Sequence, residues 1–171
     1  MIRDIETGKS VNSEDGFVGA NDIGVLKTSC VSYDVFDSGE CKKVVHAEKS
    51  LVACPVRANT IIVSRMNTPD RVGACGYSPD DKVNLFLPDR LWQVNLKDGQ
   101  DPYFTYVILS SRTNKKRLKD MASGTSGSMH NIPKESFVAL QIKTPNSIVE
   151  QRQIGTFFRR LDNLITLHQR K

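Results

Sequence analysis

No apolar run in this sequence approaches the ~18 residues that a membrane-spanning helix needs. The start, Met1-Ile2-Arg3-Asp4-Ile5-Glu6, mixes both charge signs and has no apolar core of a secretion signal, so a cytoplasmic address is expected. Cysteine is sparse: Cys30, Cys41, Cys54 and Cys75 form no CxxC pair, and His46, His130 and His168 fall at no ligand spacing from them. Free thiols in a reducing compartment are therefore expected, with no metal site. The loop Gly124-Thr125-Ser126-Gly127-Ser128 is followed by no Gly-Lys-Ser/Thr, which excludes a P-loop. No glycine-rich cofactor turn with an acidic ribose ligand is present, and no Gly-x-Ser-x-Gly nucleophile elbow. Pro69-Asp70 and Pro79-Asp80-Asp81-Lys82 resemble nuclease fragments, but they sit in turn-like segments where aspartate bonds its own backbone.

The 171 residues are 39% hydrophobic and 25% charged, enough for one core. The net charge of +5 permits a polyanionic partner. Charge concentrates in the stretch 112–119, where Arg112, Lys115, Lys116, Arg117 and Lys119 meet no acidic residue. A solvated helix face and a phosphate-binding face are both compatible with this run.

Residues 1–100 read as β-rich with long loops. Strands are expected over 24–31, 60–64 and 91–96, the last alternating apolar and polar in part. Asp101-Pro102 is a helix N-cap followed by proline at the first helical position, and Tyr103, Phe104, Val107 and Ile108 repeat at helical spacing. Thr113 is placed as the cap of a second helix carrying the basic run and ending near Ser123-Gly124; a last strand is expected over 137–142. Ser147-Ile148-Val149-Glu150 reads as a capping box opening a helix. Behind it Ile154, Phe157, Phe158, Leu161, Leu164 and Ile165 form an apolar stripe. The expected fold is thus α+β: a β-rich body with a twisted mixed or antiparallel sheet and short flanking helices over 1–146, then an amphipathic helix of coiled-coil type over 147–171. The stripe is expected to pack on a partner, as the pattern reaches Lys171 without a stop residue.

What remains is binding chemistry. Lys and Arg neutralise phosphates, hydroxyls bond them, and forked donors and amides read base edges. Three polar clusters offer this: Lys27, Thr28 and Ser29; Arg65, Asn67 and Thr68 with Arg71; and the loop 123–131, with Thr125, Ser126 and Ser128. Arg90, Lys115 and Lys116 complete the expected DNA contacts, with Arg65 and Asn67 as candidate base readers. Two other classes stay open: a small metal-dependent nuclease or methyltransferase fragment, and a protein-interaction module that reads no DNA.

The segment 122–132, Ala-Ser-Gly-Thr-Ser-Gly-Ser-Met-His-Asn-Ile, is followed by Pro145, by Glu150-Gln151-Arg152-Gln153-Ile154-Gly155, and by Phe157-Phe158 with Leu161, Asp162 and Ile165. Together they resemble the specificity (S) subunit of type I restriction–modification systems. Asn59 to Arg65, Arg71-Val72-Gly73 and Leu87 to Trp92 fit the same family. The resemblance implies a target-recognition domain that reads one half of a bipartite double-stranded DNA site. It implies that spacer helices separate two such domains and dock the methyltransferase (M) subunit, and through it the restriction (R) subunit. S-adenosylmethionine, ATP and magnesium are then expected on partner subunits, with none held by this non-catalytic chain. One recognition domain and a short spacer helix match a half-subunit or a fragment, for which a homodimer or a second half-subunit is the possible companion.

Overall fold

The computed structural model describes residues 1–32, 35–126 and 128–169, apart from the side chains at 125, 126, 166, 167 and 169. A four-stranded antiparallel sheet runs through the centre in the order β1 (Ile2–Thr7), β12 (Leu91–Leu96), β8 (Thr60–Ser64), β10 (Cys75–Ser78). A second, mixed sheet has the order β2 (Ser13–Glu14), β6 (Cys41–Val44), β3 (Gly24–Leu26), β11 (Lys82–Phe86), β7 (Pro55–Val56), in which β3 and β11 are parallel. The short β4 (Val31–Ser32) and β5 (Val35–Phe36) pair with each other. A three-stranded sheet joins β13 (Ser123–Ser126), β14 (Met129–Asn131) and β9 (Met66–Asn67). Among the described residues four α-helices follow the β-rich part or interleave with it: α1 (Pro102–Leu109), α2 (Arg112–Met121), α3 (Lys134–Val138) and α4 (Ile148–Gln169).

The central strand explains the layering. Every residue of β8 is buried, and alternate side chains enter different cores, as the two-residue period of a strand requires. Ile61 and Val63 join Ile5, Trp92, Leu109, Leu118, Phe137 and Leu140 on the helix side. Ile62 joins Leu26, Val31, Val56, Leu85 and Leu91 between the sheets. Burying each such aliphatic side chain contributes about 1.5–3 kcal/mol. Trp92 and Gln93 show the same alternation, but both are buried. Gln93 faces the second sheet, where its Oε1 accepts from Arg57 N at 3.0 Å and its Nε2 donates to Pro55 O at 3.3 Å. The polar positions of β12 thus mark a satisfied buried amide there, not a wet face.

The helix starts follow local chemistry. Asp101 accepts from Phe104 N at 2.8 Å and Pro102 opens α1, as expected. The cap of α2 is Ser111 and not Thr113, because the Ser111 hydroxyl accepts from Asn114 N at 3.4 Å. At α4 the Ser147 hydroxyl accepts from Glu150 N at 3.4 Å, the serine half of the expected box.

Two expected strands differ. Over 24–31 only Gly24–Leu26 is a strand of the second sheet, since Thr28–Cys30 forms a 3-10 turn before β4 begins. The segment 137–142 is not a strand. Helix α3 covers Lys134–Val138, and its Phe137, with Leu140 three residues on, enters the core while Ala139 is exposed. Phe137 packs on Trp92 with ring centroids 5.2 Å apart. None of the four cysteines is in a disulfide; Cys30 and Cys75 are buried, and burial pushes the Cys54 thiol up to about 11.

Candidate nucleic-acid interface

Where β8 leaves the central sheet, the chain enters a tight loop. Arg71 N and Val72 N both donate to Thr68 O, and Gly73 N donates back to Ser64 O at 2.8 Å. Gly73 has φ +79°, in the left-handed region, and a Cβ there would lie 2.8 Å from Leu118 Cβ. This glycine is what lets α2 lie against the loop. Leu118, fully buried, pins the helix from beneath, and Arg112, Lys116 and Lys119 of the basic run are exposed on it.

The result is a cleft of about 440 Å³ lined by Thr68, Asp70 and Arg71 from the loop, Lys115 and Lys119 from α2, and Ser32 from β4. Three cations stand against one carboxylate. Residues 71 and 115, remote in sequence, thus line the same cleft. Lys119, in the basic run but outside the expected contacts, lies four residues after Lys115, one helical turn away, a spacing that points to it. No sequence feature pointed to Ser32. Lys116 is exposed on the same helix.

The neighbouring corner is built around Arg65. Its Nε donates to Asp89 O at 2.7 Å, its Nη1 donates to Asn131 Oδ1 at 3.3 Å, and the guanidinium lies 5.9 Å from the Trp92 ring centroid. Arg65 N donates to Arg90 O, and Ile132 N to Arg65 O. Arg65 therefore ties the 88–90 turn, which exposes Arg90, to the β13–β14 hairpin. Asn67, also expected at base edges, is buried. Its Nδ2 donates to Ser64 Oγ at 3.0 Å and its Oδ1 accepts from Thr68 N at 2.8 Å. With both ends of the amide engaged inside the loop, Asn67 shapes the turn and does not present itself to a groove.

The loop 123–131 is a hairpin laid antiparallel onto β9, with His130 opposite Asn67 and Asn131 opposite Met66. Ser128 is exposed at its turn. The side chains of Thr125 and Ser126, and Gly127, lie outside the described residues. The third cluster stands apart: Ser29 Oγ donates to Glu40 Oε2 at 2.6 Å, and Lys27 Nζ is 4.0 Å from the same carboxylate. Glu40 thus offsets the cation expected to meet a phosphate. Thr28 sits half-buried in the 3-10 turn. Among the described residues this turn is linked to the cleft through Ser32, whose hydroxyl donates to Ser29 O at 2.8 Å.

The acidic turns do not converge. Asp81 accepts from Ala58 N at 2.8 Å and Asp80 faces Lys82 at 4.0 Å, so both serve local structure. Among the described residues no three of His, Cys, Asp or Glu are grouped to hold a metal ion, and no helix is long and apolar enough to cross a membrane.

On α4, Ile154 is half-buried, while Phe157, Phe158, Leu161, Leu164 and Ile165 are exposed, Phe157 by 58% and Leu164 by 55%.

The glycine at the cleft gives a direct check. Gly73→Ala adds a Cβ against Leu118 at a positive φ, and is expected to cost about 2–3 kcal/mol. A thermal melt reads the loss, and an unchanged melting temperature would contradict the close packing of α2 on this loop.

A family model described as "Type I restriction modification DNA specificity domain" matches residues 2–171. Among solved structures, the chain is similar to a type I restriction-modification system S subunit from M. genitalium, at 24% identity and TM-score 0.56, covering 96% of this chain and 38% of that one. It is similar to a chain from a structure concerned with complex assembly and conformational transition of the type I R-M system, at 14% identity and TM-score 0.63, covering 98% of this chain and 37% of that one. A third likeness is to the HsdS subunit from Thermoanaerobacter tengcongensis, at 14% identity and TM-score 0.56, covering 99% and 37%. The chain thus spans a little over a third of the length of these proteins, and the likenesses show a shared fold. No curated protein sequence matches.

Proposed function

This chain belongs to the family of type I restriction–modification DNA specificity domains, and from that premise we propose that it reads one half of a bipartite duplex target and docks a methyltransferase subunit through α4. The observation that carries the reading is the cleft, where Arg71, Lys115 and Lys119 converge from a loop and a helix beside a polar hairpin. Cations on two rigid elements hold a phosphate backbone in one register, and the hairpin and the Arg90 turn then stand at the groove to meet base edges. Arg65 serves this by fixing the hairpin and the turn relative to each other. Chemistry belongs to the partners: methyl transfer from S-adenosylmethionine in the methyltransferase subunit, and ATP- and magnesium-dependent cleavage in the restriction subunit, all in the cytoplasm.

Binding is tested by fluorescence anisotropy of labelled duplex at two salt concentrations, with the methyltransferase subunit present. Affinity that falls steeply with salt is expected, since phosphate contacts release counterions. Salt-independent binding, or none, would favour a module that holds methyltransferase subunits without reading DNA. Duplex incubated with the chain and divalent cations is expected to stay intact.

The exposed stripe of α4 supports the docking half. Phe157, Leu161 and Leu164 recur at helical spacing, and apolar faces of this kind seat on a partner. Phe157→Glu with Leu161→Glu is expected to leave the melting temperature within about 1–2 °C, because exposed positions carry little stability. The pair should abolish co-elution with the methyltransferase subunit in size-exclusion chromatography. Retained co-elution would place the dock elsewhere.

A further inference from the structure

The first turns of α4 are fastened to the body through polar and small residues, beside which Phe158 and Ile165 of the apolar stripe line the same groove against Tyr77 and Tyr103. Gln151 is fully buried; its Oε1 accepts from Asp101 N at 2.9 Å and its Nε2 donates to Pro145 O at 2.8 Å. One turn on, Gly155 lets the α1 backbone come close, since a Cβ there would stand 3.3 Å from Phe104 N. Another turn on, the Arg159 guanidinium lies 4.0 Å from the Tyr103 ring centroid and 5.7 Å from that of Tyr77. Tyr103 Oη donates to Asp162 Oδ2 at 3.1 Å, and the two tyrosine rings meet edge to face at 5.0 Å. Positions 151, 155, 159 and 162 recur every three or four residues and so share one side of the helix.

The attachment has two parts with different mechanical roles. Gln151 holds the root of the helix, where a single tether would still let it pivot. Arg159 grips about 12 Å further along the axis, and a hold at that lever arm opposes swinging. The side chains that grip come from α1, β10 and α4 itself, so the hold needs no partner. We propose that Arg159 and Tyr103 are positioning residues that lock the direction of α4 before any partner binds, making the helix a preset arm. Resting on the function proposed above, this arm sets the distance and rotation between the reading cleft and the next half-site reader, and hence the half-site spacing the complex accepts.

The test has two readouts. Nitroxide labels at Lys97→Cys and His168→Cys, with Cys41 and Cys54 replaced by serine, report the distance from the central sheet to the far end of α4 by pulsed electron resonance. A single narrow distribution is expected for the parent. Arg159→Ala is expected to raise the undocked population roughly tenfold, broadening the distribution, and Arg159→Lys to restore part of the narrow peak. Arg159 and Tyr103 lie outside the core, so the fold persists and the melting temperature checks it. An equally narrow distribution in Arg159→Ala at the same distance overturns the lock. The second readout uses the assembled complex on duplexes whose half-sites are moved apart or together by a single base pair. The parent should reject them and Arg159→Ala accept them, with binding to the correctly spaced duplex little changed. An unaltered spacing preference overturns the functional part of the proposal. Absence of DNA binding by both proteins would instead count against the recognition reading, and the distance measurement would still decide the lock.

Discussion

Replacing Arg71, Lys115 and Lys119 together with glutamine is expected to lower duplex affinity by on the order of a hundredfold at physiological salt. The three side chains line one cleft and come from two elements held rigidly by Leu118 and Gly73, so they act on the same stretch of backbone. Each phosphate contact contributes close to one unit to the salt slope of binding, and the slope should therefore fall by about 3 in the triple variant. The loss should be similar for cognate and unrelated duplexes, because phosphate contacts carry no sequence information. A variant in a base-reading position would behave differently, losing cognate affinity while keeping its salt slope. All three residues are polar and line an open surface, so far-ultraviolet dichroism should not change. Titration at several salt concentrations in the presence of the methyltransferase subunit supplies the slope, and an unchanged slope would remove the cleft from the interface.

Phe137→Ala is expected to have the largest effect on stability. The ring is fully buried, packs on Trp92, and belongs to the cluster that seats α1, α2 and α3 on the central sheet. Truncating such a side chain costs about 3–5 kcal/mol, a large share of the ~5–15 kcal/mol that holds a domain of this size folded. Phe137→Leu keeps most of the volume and should cost less than about 2 kcal/mol. Urea titration of both variants separates the outcomes. Had 137–142 been a strand, its side chains would alternate between the core and the other face. The helix instead places Phe137 and Leu140 inward and exposes Ala139, so Ala139→Asp should be tolerated within about 0.5 kcal/mol.

That segment also shows where sequence reading stops. The run Phe-Val-Ala-Leu-Gln-Ile has the composition of a strand, yet Pro133 and Lys134-Glu135 start a helical turn before it, and the three-residue step from Phe137 to Leu140 fits the face of a helix. Elements whose local chemistry is self-contained were legible: Asp101-Pro102 before α1, the serine cap of α4, and the aliphatic run of β8. The two-residue strands β2, β4, β5, β7 and β9 were not, because pairing partners and not composition define them. The site divides the same way. The basic run on α2 is plain in the sequence, but its meeting with Arg71 depends on Gly73 admitting the helix, which is tertiary information. Residue type misled at Asn67, where the amide suited to an adenine edge is consumed by Ser64 and Thr68. It was incomplete at Arg65, whose fork is used to brace Asp89 and Asn131. The exposed stripe of α4 was visible as periodicity, whereas the anchoring face was hidden, since Gln151, Gly155, Arg159 and Asp162 share no apolar pattern.

Methylation of a randomised duplex library by the cognate methyltransferase subunit, with and without this chain, tests the central claim most directly. A recognition domain should make methylation depend on the chain and concentrate it on duplexes sharing one short sequence element, and the triple cleft variant should reduce methylation without changing that element. Methylation that is equally efficient and equally distributed without the chain would contradict a role in reading DNA.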